Sequence, residues 1–79
     1  MNVITGAQIR AARALVRWTA EDLASTAKVG IATVRRAEGE DGQPSTTAAN
    51  LNAIRIALEN AGVEFIPENG GGAGVRLKK

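Results

Sequence analysis

The sequence contains no cysteine and no histidine. These absences exclude disulfides, thiol catalysis, the common zinc sites and imidazole acid–base chemistry. No run approaches the roughly 20 apolar residues that a membrane-spanning helix needs. The basic start followed by an apolar run that is typical of a secretion signal is not found either. We therefore expect a soluble, cytoplasmic, non-enzymatic protein that needs no metal or cofactor and does not contact a membrane.

The chain is short, at 79 residues, and its net charge is only +2. A single domain of this size buries only about 60% of the surface that its unfolded chain exposes, so its core is thin and a second subunit would add stability. We therefore expect a homodimer. The overall charge does not by itself indicate a nucleic-acid partner, and the placement of the basic residues must decide.

A capping signal at Thr5 predicts the first helix. Thr5 is followed three residues later by Gln8, which is the spacing of a capping box, so the helix should begin at Gly6. Apolar residues then recur at spacings of three and four, which predicts one buried face. Its members are Ile9, Ala12, Leu15 and Val16.

Two further signals predict a pair of short helices. Thr19 followed by Asp22 repeats the capping box and predicts a helix over residues 20–27. Gly30 in the capping position predicts another over residues 31–38. Two helices of about two turns each, joined by a three-residue connection, are typical of a helix-turn-helix.

A fourth helix and a hairpin complete the predicted fold. The acidic, glycine-bearing "GEDGQPS" is typical of a surface loop, and any of Ser45, Thr46 and Thr47 could cap the helix in "ANLNAIRIALENAG". That helix should end at Gly62, and its buried stripe should contain Leu51, Ile54, Leu58 and Ala61.

After the fourth helix the hydrophobic period changes from 3.6 to 2. This change predicts strands over residues 63–66 and 75–78, joined by the turn-forming "PENGGGAG". A lone hairpin is marginally stable in water, so it must pack on a helix or pair with another chain. We thus expect a bundle over residues 1–62 and a hairpin extension over 63–79. Phe65 could serve either the hairpin core or the dimer, and the candidate dimer contacts are Phe65, Ile66, Val75 and Leu77.

The segment "LVRWTAEDLASTAKVGIATVRRAE" resembles the XRE-type, lambda-repressor-like and Cro-like helix-turn-helix transcriptional regulators. The residues that carry the likeness are the cap before the second helix, the "EDLA" core, the "VG" entry to the third helix and the closing "TVRRAE". The tail "GVEFIPENGGGAGVRL" is also similar to the ending of small bacterial regulators of that family. The resemblance implies a mainly α fold, a bundle of four helices with a C-terminal β-hairpin, acting as a DNA-binding homodimeric repressor.

The same resemblance implies roles for individual residues. The third helix, residues 31–38, would enter the major groove, and Arg35 is the first candidate because arginine paired with guanine is the most frequent specific base contact. A salt bridge between Arg13 and Glu38 would hold helices together rather than touch DNA. The implied base contacts are Gly30, Ile31, Ala32, Arg35 and Arg36. The implied phosphate contacts are Thr19, Ala20, Lys28 and Thr33.

Several residues depart from the family pattern. Ala20 stands where many members have a glutamine that touches phosphate and base. Lys28 occupies the usual turn glycine, so it must adopt a left-handed conformation at a cost of about 1 kcal/mol. Glu21 and Asp22 place negative charge near the expected DNA backbone. We therefore expect modest affinity from one domain.

Other interpretations remain open at this point. Arg35 and Arg36 would be ordinary surface charges if the domain has lost DNA binding and kept the bundle. The chain could instead be a protein-interaction module, such as an antitoxin-like partner that uses the hairpin edge or the fourth helix and binds DNA weakly or only in a complex. A catalytic domain is disfavoured because no nucleophile–base pair or metal-ligand pattern is present.

Overall fold

The computed structural model of the protein describes residues 4–42, 44–68 and 70–78. Residues 1–3 and 79 lie outside this description, as do Gln43 of the predicted loop and Asn69 of the predicted turn. The described part is mainly helical and ends in an antiparallel hairpin, as predicted. In chain order the elements are α1 (Gly6–Val16), α2 (Ala20–Ala27), α3 (Ile31–Glu38), α4 (Ala48–Asn60), β1 (Val63–Ile66) and β2 (Gly74–Leu77).

The helix starts follow from local hydrogen bonds. In α1 the Thr5 hydroxyl accepts from the Gln8 backbone N–H at 3.1 Å, and the Gln8 side chain accepts from the Thr5 N–H at 2.8 Å. Thr19 and Asp22 form the same reciprocal pair at the start of α2, with both bonds 3.0 Å long. Both predicted capping boxes are therefore confirmed. Of the three candidate caps for α4, Thr47 accepts from the Asn50 N–H at 3.2 Å.

Three helix ends adopt left-handed backbone conformations. Lys28 at the end of α2 has φ of 61°, as predicted, and Arg17 at the end of α1 has the same value. After α4 the left-handed residue is Gly62, with φ of 108°, and its N–H donates to the Glu59 carbonyl at 3.0 Å. The predicted position of Gly62 is therefore confirmed, whereas that of Arg17 was not anticipated.

The core draws on all four helices and on β1. Its largest fully buried side chains are Ile9, Leu23, Val34, Ile54, Leu58 and Val63. The predicted burial is wrong for two residues. Leu15 is 39% exposed, because it lies to the side of the α1 face formed by Ile9, Ala12 and Val16. Ala61 is exposed because α4 has already ended, and Ala57 is buried instead.

The hairpin packs on helices of its own chain. Its strands pair Val63 with Leu77 and Phe65 with Val75, and Phe65 and Val75 pack against the helical core. β2 begins one residue earlier than predicted and ends at Leu77. The hairpin contacts both α1 and α4. The thin core is thus extended by the strands.

The acidic loop after α3 lies against the start of α1. The backbone N–H of Gly6 donates to the Gly42 carbonyl at 2.9 Å. A Cβ at Gly6 would overlap the Glu40 carbonyl oxygen and lie only 2.7 Å from that of Ala37, so the close approach requires glycine. This contact fixes the end of α3 relative to α1. In the part of the chain that the structure describes, none of the helices has the length and apolar character needed to cross a membrane.

Candidate functional site

The helices α2 and α3, which have 8 residues each, form a compact unit. The left-handed Lys28 lets the chain reverse, and the Val29 N–H donates back to the Ala24 carbonyl at 3.0 Å. Leu23 and Val34 are both fully buried, so the two helices share one apolar core. The unit therefore presents the outer face of α3 in a defined orientation.

The outer face of α3 combines small side chains with two guanidinium groups. Ile31 and Thr33 are half-buried, while the inner face carries the buried Val34, Ala37 and Glu38. The exposed residues are Gly30, Ala32, Arg35 and Arg36. We call these four residues the α3 face. Small residues at its N-terminal end permit close approach of a flat ligand, and the arginines one turn later supply donors for phosphate or base acceptors.

One arginine of the α3 face has an acidic partner on α2. The Arg35 Nη2 donates to the Glu21 Oε2 at 3.2 Å, with the two side chains 63% and 68% exposed. An ion pair this exposed contributes at most about 1 kcal/mol to stability. Arg35 therefore remains able to exchange or share this partner.

The start of α2 lies beside Glu21. Thr19 is exposed and Ala20 is half-buried. The capping box engages the amides of Thr19 and Asp22, which leaves the amides of Ala20 and Glu21 as the ones available to an outside acceptor in this first turn. The positive end of the helix dipole also favours an anion at this position. Lys28 is exposed at the turn between the two helices.

The predicted pair of Arg13 and Glu38 lies away from the α3 face. Arg13 Nε donates to Glu38 Oε2 at 2.6 Å and its Nη2 donates to Oε1 at 3.0 Å, which is a bidentate ion pair. The hydrogen bond with Glu38 raises the pKa of Arg13 above its ordinary value, although partial burial acts in the opposite direction. Glu38 is only 8% exposed. The pair therefore joins α1 to the end of α3 as a structural contact.

The candidate dimer contacts occupy different environments. Phe65 and Val75 pack on the core of their own chain, and Ile66 is half-buried. Leu77 is 48% exposed at the end of β2. These residues lie on the hairpin, which packs on α1 and α4, whereas the α3 face belongs to the α2 and α3 unit. The structure thus does not bring the two sets of predicted residues together.

The sequence analysis did not predict the contacts of two arginines, Arg10 on α1 and Arg35 on α3. Arg10 donates to the Glu38 carbonyl and, at 2.5 Å, to Asp41 Oδ1, so it holds the acidic loop against α1. The pairing of Glu21 with Arg35 was also not predicted, because no fixed spacing links residues on different helices. The sequence shows the two opposite charges, but a separation of 14 positions does not predict a contact between them.

Comparisons with known proteins add no family assignment, since no protein-family model matches the sequence and no curated protein was found to match it. The resemblance to helix-turn-helix regulators therefore rests on the residues quoted from the sequence. Among the described residues, no group of three or more acidic side chains could hold a metal ion.

Proposed function

We propose that this protein is a sequence-specific DNA-binding regulator that acts as a small homodimeric repressor. In this proposal α2 and α3 form a helix-turn-helix and the α3 face enters the major groove of duplex DNA. The single observation that carries the proposal is the α3 face itself. Its small N-terminal residues and exposed arginines are held on a short helix by a second helix and a left-handed turn.

The size of α3 supports this role. The major groove is about 12 Å wide and admits one α-helix, with the N-terminal residues of that helix nearest the base edges. Gly30 and Ala32 are exposed at that end, so their small side chains allow the backbone to approach the bases closely. Ile31 would contact a thymine methyl group, and Arg35 would donate to guanine O6 and N7.

The surroundings of α3 supply contacts that set the position of the protein on DNA. The first turn of α2 presents the amide of Ala20, and the exposed residue Thr19 precedes it. Lys28 offers a charge at the turn, and Thr33 lies at the border of the α3 face. Such contacts reach phosphates and fix register without reading sequence. Glu21 and Asp22 oppose them, which supports a modest affinity for one domain.

The test begins with selection of duplexes from a random library by the wild-type protein. The enriched duplex and a scrambled duplex of equal length are then compared by fluorescence anisotropy at about 50 and 200 mM salt. We expect the preference for the enriched duplex to persist at the higher salt, because base contacts depend on salt less than phosphate contacts. If no sequence is enriched, the proposal is wrong.

Paired substitutions locate the binding face. We expect Arg35→Ala with Arg36→Ala to weaken binding to the enriched duplex by about 10-fold or more, since one base-contacting arginine accounts for about 1–3 kcal/mol. The matched control is Arg55→Ala with Arg76→Ala, which removes the same charge. Arg76 is 64% exposed and paired with Glu64, so it resembles Arg35 in both respects. If both double variants lose affinity equally, α3 is not the reading helix.

The alternative is a protein-interaction module, such as an antitoxin-like partner. The exposed Leu77 at the end of the hairpin supports it, because a large apolar side chain on a strand end can pack against a different protein as well as against a second copy of this chain. In that case the protein alone would bind both duplexes equally and weakly, and the binding would disappear at the higher salt.

A further inference from the structure

The ion pair between Glu21 and Arg35 joins the first turn of α2 to the α3 face, both of which are proposed to contact DNA. Among the residues that the structure describes, one of the five N–H donors of the guanidinium has a partner, through Nη2. The remaining donors are available to a second acceptor. Both side chains are mostly exposed, so the pair is not needed to satisfy buried groups.

The position of Glu21 is unfavourable for general DNA binding. It is the second residue of α2, next to the amides that would face a phosphate. A carboxylate at this position repels a phosphate. It also forms an ion pair with Arg35, which would otherwise attract that phosphate. A protein selected only for affinity would gain from its removal.

We propose that Glu21 is a specificity-determining residue of the α3 face. It holds the Arg35 guanidinium away from phosphates while leaving its other donors for a guanine. This inference depends on the proposed DNA-binding function. The discrimination arises because guanine O6 and N7 are neutral acceptors, whereas a phosphate brings a negative charge beside the Glu21 carboxylate.

The test compares wild type with Glu21→Gln, which removes the charge and keeps the shape. Affinity for a scrambled duplex should rise about five-fold, as expected for loss of one repulsive exposed charge. Affinity for the enriched duplex should rise less, so the ratio of the two affinities should fall. The control is Asp22→Asn, since Asp22 is the neighbouring acid but bonds to Thr19 rather than to Arg35. The control should leave the ratio nearly unchanged.

The same comparison in an Arg35→Ala background isolates the pair. There Glu21→Gln should no longer change the ratio, because the arginine that it positions is absent. An equal fall in both backgrounds would overturn the inference in favour of a simple charge effect at the start of α2. If wild type prefers the enriched duplex but Glu21→Gln leaves its ratio unchanged, this inference fails while the proposed function stands. If wild type prefers no duplex, the proposed function itself fails.

Discussion

At the scale of single residues, the left-handed conformations of Arg17 and Lys28 are costly features of the backbone. Each has φ of 61°, although each carries a Cβ. Such a residue is less stable than glycine in this conformation, by roughly 1–2 kcal/mol before the greater chain entropy of glycine is counted. At Lys28 the cost is accompanied by an exposed positive charge between α2 and α3. We therefore expect that replacing Lys28 with glycine raises the free energy of unfolding and lowers the affinity for DNA.

Lys28→Gly should increase the free energy of unfolding by about 0.5–1 kcal/mol, because it relieves the left-handed strain. The same change should weaken duplex binding and reduce the slope of log affinity against log salt by about 1, as for loss of one phosphate contact. Denaturant unfolding measures the first effect and anisotropy at several salt concentrations measures the second.

Arg17→Gly is the matched control for the conformational argument. It has the same φ at the end of a different helix and should stabilise the protein by a similar amount. If Lys28→Gly stabilises the protein while the affinity and its salt slope do not change, Lys28 makes no phosphate contact.

At the scale of helices and strands, residue spacing predicted local signals but not which distant side chains bond to each other. The predicted ion pair between α1 and α3 was implied by the family resemblance, not by spacing. The capping boxes at Thr5 and Thr19 depend on residues three positions apart, so the sequence was sufficient to locate them. The second set of bonds made by Gln8 could not be foreseen. Its Nε2 donates to the Ile66 carbonyl at 3.2 Å and to the Gly74 carbonyl at 2.9 Å, and these partners are 58 and 66 positions away.

For the candidate site the division is the same. The bounds of α2 and α3 follow from local capping signals, whereas the left-handed Lys28 and the residues of the α3 face were implied by the family resemblance. The pairing of Arg35 with Glu21 depends on how the two helices pack, and the exposed Leu15 depends on which side of α1 the hairpin and α3 cover.

The role of Gln8 gives a prediction with a defined pH dependence. Gln8→Glu keeps the acceptor for the Thr5 N–H but replaces the amide donor with a carboxylate that faces two carbonyl oxygens. We expect a loss of about 1–3 kcal/mol in the free energy of unfolding at neutral pH. The folded-state pKa of the new carboxyl should be raised, since only its protonated form can donate. The deficit should therefore be smallest below the unfolded pKa and grow as pH rises through the folded pKa.

Thermal or denaturant unfolding of the variant and wild type between about pH 3 and pH 7 checks this dependence. The control is Asn52→Asp, the same chemical change at an exposed position whose side chain accepts from Arg55 at 2.7 Å. It should destabilise little and should show no growing deficit. A constant deficit for Gln8→Glu at all pH values would mean that the amide donor does not link α1 to the hairpin.

At the scale of the whole molecule, the hairpin belongs both to the core and to the candidate dimer surface. Val63 is fully buried, and Phe65 and Val75 cover the helices, so deletion of the strands would expose the core. Loss of the dimer in such a deletion would therefore not identify the interface. A point substitution at the exposed Leu77 leaves the inward-facing residues in place.

Leu77→Lys should convert the proposed homodimer to a monomer while helical content, measured by circular dichroism, stays unchanged. Ile56→Lys is the control, because Ile56 is a comparably exposed apolar residue, at 44% against 48%, on α4 instead of the hairpin. Light scattering after size exclusion, over a range of concentrations, reports the mass. A monomeric wild type, or a dimer that survives Leu77→Lys but not Ile56→Lys, would contradict the hairpin contact.

The same variant links oligomeric state to DNA binding. A homodimer would place two copies of α3 on half-sites about 34 Å apart, so its affinity for a full site exceeds that for a half-site through the second contact. Leu77→Lys should therefore weaken binding to a duplex with two half-sites and leave binding to a single half-site unchanged, since the α3 face is intact. Equal losses on both duplexes would mean that the substitution disturbs the fold instead of the dimer.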